Sequence, residues 1–235
     1  MQITIELKEV ISLVGEYPVL AGVNFRAQTG EIVLLRGPNG SGKSSLLKLI
    51  ASLIPVSKGS ATVLGVNFDG IGGRLLRGEI GFLGHDMPIY SDLTCLENVR
   101  YFLSLGRLNN PDQKGKLSAK AVKEQIRESA NIALDQVGIN HKLACRKAGL
   151  LSHGQKKRLS LAPILWCKPK ILLLDEPHSG LDSSSREILD EIVKREAKCG
   201  ATVVFASHEF EFEIPIATRV AVMGGGRIIE DISNV

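Results

Sequence analysis

No apolar stretch in this chain of 235 residues comes near the roughly 20 residues needed to span a bilayer. The longest runs, such as Ile32-Val33-Leu34-Leu35 and residues 171–174, have the length of buried strands. A signal peptide is missing too, since the opening Met1-Gln2-Ile3-Thr4-Ile5-Glu6-Leu7 alternates like a strand and has no basic start. A chain that stays in the cytosol is expected. Cysteine pairs are lacking: Cys95, Cys145, Cys167 and Cys199 stand singly, in neither CxxC spacing nor a dense secreted framework. They are expected to be reduced, mostly buried thiols. Charge of one sign is scarce, with a formal net of +4. The Lys156-Lys157-Arg158 cluster reads as a solvated helix face, so no nucleic-acid partner is expected. Internal repeats and low-complexity tracts are absent, which argues against solenoid and disordered classes.

What is present is an ordinary apolar share of 44% spread along the whole length, enough for one packed domain with an insertion. Residues 3–36 form short alternating or continuous apolar segments broken by Gly15, Gly22 and Gly30, which predicts an antiparallel β region. A strand over residues 31–36 then enters a glycine-rich loop, and residues 46–53 have helical spacing that ends before Pro55. From about residue 86 to 150 the texture turns helical. Leu96, Val99 and Leu103 share one face there, as do Val122, Ile126, Ala130, Ala133 and Val137. Buried parallel strands follow at 171–175 and 202–206, with a helix over 184–198 between them and final strands at 219–223 and 227–232. The predicted fold is α/β, a P-loop NTPase core (1–85 and 151–235) with an N-terminal antiparallel β region and an inserted α-helical subdomain (about 86–150).

The strongest chemical signal is Gly37-Pro38-Asn39-Gly40-Ser41-Gly42-Lys43-Ser44, with Ser45 following. It fits GxxxxGK[ST] and lies between a strand and a helix, where that motif works. Its glycines let backbone N–H groups turn inward around phosphate oxygens, and the helix N-terminus adds a favourable dipole. Lys43 supplies charge to the β- and γ-phosphates, and the Ser44 hydroxyl suits one coordination position on Mg²⁺. Residues 171–176 form an apolar strand ending in Asp175 and Glu176. Such an end lies beside the phosphate loop. Asp175 can hold Mg²⁺ through water, and Glu176 can polarise an attacking water.

Upstream of that strand stands Leu151-Ser152-His153-Gly154-Gln155, in which Ser152 is a good N-cap for a helix of small first residues, a natural anion site. Ser179-Gly180-Leu181-Asp182 and His208 complete the order of motifs. On these segments the chain resembles the ATP-binding subunits of ABC transporters over essentially its full length. The resemblance implies an ATPase with ATP and Mg²⁺ as ligands. It further implies that Ser152 and Gly154 face the γ-phosphate held by an opposite subunit, that Asp182 belongs to a loop passing between subunits, and that His208 is the switch histidine. A homodimer, or a heterodimer with a related ATP-binding subunit, is therefore expected. A separate polytopic membrane subunit is expected as well, with this chain cytoplasmic and peripheral on the inner face of the membrane.

Three positions depart from the family pattern. His85, at the end of Ile80-Gly81-Phe82-Leu83-Gly84-His85, stands where a glutamine usually contacts the metal, and is the candidate contact here. His153 replaces the usual first glycine of the signature. Val14 takes the place of the aromatic residue that stacks on adenine, with Tyr17 close by as its candidate substitute. The Gly84-His85 pair is also locally similar to the ATP-binding subunits of the cytochrome c-maturation haem exporter. Leu93-Thr94-Cys95-Leu96-Glu97-Asn98-Val99 matches the family stretch near the membrane-subunit groove and suggests a docking surface. The alternative reading is a soluble ABC-type ATPase acting on ribosomes or nucleic acid. Such chains usually carry two fused halves or a long coiled coil, and this one has neither.

Overall fold

The computed structural model describes residues 2–68, 76, 78–108, 118–208 and 216–233. The chain forms two compact units, Met1–His85 with Pro169–Ser179 and Asp190–Val235, and Asp86–Lys168 with Gly180–Leu189. In chain order the elements begin with β1 (Ile3–Val14), β2 (Tyr17–Gln28), β3 (Ile32–Arg36), α1 (Lys43–Ile50), β4 (Lys58–Val63), β5 (Val66–Asn67) and β6 (Ile80–Leu83). Helices α2 (Cys95–Leu108), α3 (Ala119–Gln136), α4 (His141–Ala144) and α5 (His153–Trp166) come next. The chain closes with β7 (Ile171–Asp175), α6 (Ser183–Lys198), β8 (Thr202–Ser207), β9 (Arg219–Gly224) and β10 (Arg227–Ser233).

The first unit holds two sheets, one in the order β2-β1-β4-β5 and one in the order β10-β9-β3-β8-β7-β6. The expected antiparallel region ends at β2, because β3 pairs in parallel with β8 and β9. The reason lies in the side chains. In β1 the apolar Ile5, Leu7 and Val10 are buried while Lys8 and Glu9 are exposed, the alternation of a one-sided sheet. The first four residues of β3, and every residue of β7 and β8, are buried, as strands covered on both faces must be. Leu46, Leu47, Leu49 and Ile50 of α1 fill one core with Val33, Leu35, Leu173 and Val204 of the parallel sheet and Leu20, Val23 and Phe25 of the antiparallel one. Pairing of Arg36 with Ser207 and of Asp175 with Ala206 brings the C-terminal ends of β3, β8 and β7 out at one edge.

A single guanidinium pins the far side of this unit. Arg219 bonds Asp231 on β10 through Nε (2.6 Å), Glu31 through Nη1 (3.2 Å) and the Arg26 carbonyl through Nη1 (2.5 Å). It also lies 5.5 Å from the Phe25 ring centroid. The bonds to Asp231, ahead of those to Glu31, hold its pKa above the ordinary arginine value against the opposing effect of burial. Arg219→Ala is expected to lower the unfolding free energy by about 2 kcal/mol, since charged hydrogen bonds are lost and their acceptors stranded. Urea denaturation checks this, with Arg219→Lys recovering part of the loss.

In the second unit Val99, Ala130, Ala133 and Val137 are buried, on the faces predicted from helical spacing, and Leu134 is buried besides. This unit reaches further than residues 86–150. It takes in 151–168 and 180–189, because α5 is buried on several sides through Leu159, Leu161, Ala162 and Leu165. The basic cluster is not a solvated face. Lys157 and Arg158 are buried, and Arg158 Nη1 donates to the carbonyls of Val137 and Gly138 at 3.0 Å each. A cation at the carbonyl end of α3 is favourably placed against that helix's dipole. The thiol expectation also needs correcting: Cys95 is buried, but Cys145, Cys167 and Cys199 are exposed. All three sit just after the last turn of a helix, where the chain swings outward. Residues 109–117 of the expected helical insertion lie outside the described residues. Among the described residues no helix is long and apolar enough to cross a membrane.

Candidate functional site

Between β3 and α1 the chain turns through Gly37, Gly40 and Gly42, with φ of 153°, 79° and 106°. These values favour glycine, and space demands it as well: a β-carbon on Gly37 would sit 2.3 Å from the Met223 carbonyl oxygen. A bare backbone cradle results, including Pro38 and Asn39. Lys43, only 6% exposed, donates from Nζ to the carbonyls of Gly37 (2.7 Å) and Pro38 (3.2 Å). A buried ammonium on the first residue of a helix lies at the positive end of the dipole, where an anion is favoured and a cation is not. Ser41 Oγ is also buried without a hydrogen-bond partner among the described residues. Glycine cradle, unmatched hydroxyl and misplaced cation are each satisfied by phosphate oxygens.

The acids arrive from β7. Ser44 Oγ donates to Asp175 Oδ1 at 3.0 Å, so the first turn of α1 and the end of β7 meet where the sequence places a metal. Burial pushes the Asp175 carboxyl above its ordinary range. The Glu176 charge adds to that rise, while Ser44, Lys48 and His85 oppose it. A buried carboxylate raised in this way gains from a divalent cation. Among the described residues no three His, Cys, Asp or Glu side chains cluster as a metal site. The chain thus offers a hydroxyl and a carboxylate, the sparse donor set suited to Mg²⁺ that arrives with phosphate and water oxygens. His85 is exposed and lies near Asp175.

Glu176 follows with φ of 51°, an unusual conformation for a residue with a side chain. Its N–H donates to the Ala206 carbonyl at 3.0 Å. His208 Nδ1 lies 2.8 Å from Glu176 Oε2, so the structure joins directly the two residues that the family resemblance sets to work on the same water. Tyr17 is 79% exposed at the start of β2. The same strand brings the Val19 carbonyl to 3.1 Å from where a β-carbon on Gly42 would be. Tyr17 is therefore anchored two residues from a contact with the phosphate loop. Ser45 lies on the first turn of α1.

The second unit holds the signature residues. Ser152 caps α5 in a reciprocal box: Gln155 N–H donates to Ser152 Oγ (3.2 Å) and Ser152 N–H to Gln155 Oε1 (3.1 Å). A β-carbon on Gly154 would meet Ser185 Oγ at 2.4 Å, so no larger residue fits. Asp182 accepts from Ser185 N–H at 2.8 Å and from the Ser184 hydroxyl at 3.3 Å. The bonds from Ser185 are the main cause holding its carboxyl below the ordinary range. His153 packs on Gly180, which has φ of 71°. Thr94 and Glu97 form a second capping box, and buried Asn98 bonds Tyr90 N–H and its carbonyl. That stretch therefore frames the start of α2 as well as offering surface. The sequence reading assigned nothing to His178, which proves to be a buried side chain paired with Asp190.

The family model of the ABC transporter matches residues 20–179. The glutamine transport ATP-binding protein GlnQ of Escherichia coli is 34% identical over 230 residues, 97% of this chain and 90% of that protein. The cytochrome c biogenesis ATP-binding export protein CcmA of Nitrosospira multiformis is 30% identical over 211 residues, 90% of this chain and 94% of that one. Among solved structures, the dimeric post-hydrolysis state of the ATP-binding cassette MJ0796 bound to ADP and Pi superposes with a TM-score of 0.80. It shows 27% identity and coverage of 97% of this chain and 98% of that one. A glycine cradle and an acid pair at one sheet edge thus occur in a chain that belongs to the ABC transporter family, as an ATP-binding subunit that hydrolyses ATP to drive transport.

Proposed function

We propose that two copies of this chain, or one copy and a close relative, enclose ATP between the glycine loop of one subunit and the α5 start of the other. The observation that carries this reading is the convergence of Ser44 on Asp175 and of His208 on Glu176 at the ends of adjoining strands. Lys43 and the loop N–H groups bind the phosphates. Bound Mg²⁺ would neutralise charge on the phosphates, held by the Ser44 hydroxyl and by Asp175 through water, with His85 as a further contact. Glu176, oriented by His208, accepts a proton from the attacking water. Charge spreading over the γ-phosphate oxygens is met by Lys43 and by the outward N–H groups that the first turn of any helix leaves free, here those after Ser152 and at Gly154 of the other subunit. Asp182, by fixing the start of α6, shapes the loop that lies toward the subunit boundary. Tyr17 stacks on the adenine.

Phosphate loss removes the anion that joins the halves, and they part. The face of α2 and α3 offers a cavity of about 390 Å³ lined by Glu97, Arg100, Tyr101, Ser104, Lys123 and Ile126. A polytopic membrane subunit seated on that mixed charged and aromatic face would receive the movement, with the chain peripheral on the inner face of the membrane. CcmA is an export protein and the sulfate/thiosulfate protein CysA of Bradyrhizobium diazoefficiens an import protein, so both directions are found among the relatives. Light scattering in the presence of ATP and EDTA, which halts hydrolysis, tests the reading: the mass should double. Protein that stays monomeric when saturated with ATP, even beside a related subunit, overturns it.

A further inference from the structure

We infer that His178 is a positioning residue for hydrolysis, its bond to Asp190 holding the turn that presents the Glu176 carboxylate. This rests on the reading of Glu176 as the group that activates water.

The turn needs holding. A left-handed backbone is strained at a residue other than glycine, so Glu176, at φ of 51°, would relax if its surroundings allowed it. Relaxation would swing its carboxylate, and a shift of about 1 Å in a reacting group can cost roughly 100-fold in rate. Upstream, the turn is held by the Glu176 N–H to Ala206 carbonyl bond at 3.0 Å. Pro177 then fixes one dihedral. Downstream, Ser179 N–H reaches the Glu176 carbonyl in a long contact of 3.4 Å.

His178 ties the same turn to the core. Its side chain is 2% exposed, and its ring stands edge-on to Phe205 of β8, with centroids 6.0 Å apart and planes at 78°. Nε2 lies 2.8 Å from Asp190 Oδ1 on α6. Both the neutral Nε2–H tautomer and the imidazolium donate to that carboxylate, so the bond does not depend on the charge of the ring. A buried imidazole whose N–H lost this acceptor would carry a desolvation penalty. The turn is therefore pinned between a core strand and a helix. Asp190 also has a particular place in the chain: the backbone leaves the first unit after Ser179 and re-enters it at Asp190. The pair closes that excursion at its base, with His178 two residues before the Gly180 to Asp182 segment begins.

The test is a cycle of variants assayed for ATP turnover per nucleotide-binding molecule, so that misfolded protein is not counted. Asp190→Ala should lower kcat about 10-fold or more while the KM for ATP moves by less than about threefold, since the phosphate loop is untouched. Asp190→Asn keeps an acceptor oxygen of the same size and should recover most of the lost rate. Added to Glu176→Gln, the Asp190→Ala change should slow the residual turnover less than twofold, because the group it positions is already gone. Full additivity of the two, a loss confined to KM, or no rescue by asparagine would overturn the positioning role. Normal turnover in Glu176→Gln alone would instead remove the reading of Glu176 on which it rests.

Discussion

Glu176→Gln is expected to lower steady-state phosphate release about 10²–10⁴-fold, the usual contribution of a general base, while ATP affinity stays near that of the unaltered protein. The amide has the size of the carboxylate and keeps an oxygen facing His208 Nδ1, which lies 2.8 Å from Oε2. What it loses is the basicity needed to take a proton from water. Lys43, Ser44 and Asp175 belong to a separate set of contacts, with Lys43 on the loop carbonyls and Ser44 on Asp175. Phosphate binding should therefore survive. With the bond-breaking step slowed and binding intact, the ATP-bound dimer should accumulate and be visible by size-exclusion chromatography with light scattering. Unchanged turnover would take Glu176 out of the mechanism.

Mixing two inactive variants should restore activity. Lys43→Ala removes the charge proposed to meet the phosphates, and Ser152→Arg both deletes the α5 cap and places a long side chain where the partner's γ-phosphate is expected. Loss of the cap costs about 1 kcal/mol, too little to unfold the chain, so each variant should fold and each should be nearly inactive alone. A two-fold dimer contains each composite site twice. In a mixed dimer one site then combines both lesions, and the other combines the intact loop of one chain with the intact signature of its partner. Random association makes half of the dimers mixed, so roughly a quarter of full turnover should return. Titrating one variant into a fixed amount of the other, with phosphate release as the readout, checks this. No recovery at any ratio would mean that each chain completes its own site.

Much of the fold and of the chemistry was legible because it depends on local spacing. The glycines at 37, 40 and 42 announce left-handed turns and close backbone approach, and the structure contains both. The apolar run ending in Asp175 reads as a strand covered on both faces, and all five residues of β7 are buried. Ser152 with Gln155 three residues on is a capping box in any helix that starts there, and it forms here. Family resemblance then supplied roles for Asp182 and His208 that no local pattern carries.

Other features depend on what the fold places around a residue. Lys157 and Arg158 look like surface charge in the sequence, yet they are buried because α5 is packed on several sides and the end of α3 needs a cation. Three of the four cysteines are exposed because they end helices. Neither the bond from His208 to Glu176, across 32 residues, nor that from His178 to Asp190, across 12, can be seen in spacing. The sequence by itself determined the α/β class, the glycine loop, the acid pair and the family, because each is written in neighbouring residues with a fixed backbone consequence. Only the tertiary structure decided which charges are buried, how Glu176 is held and which histidines reach a carboxylate. Those outcomes depend on strand order and helix packing, which bring together side chains that are distant in the chain.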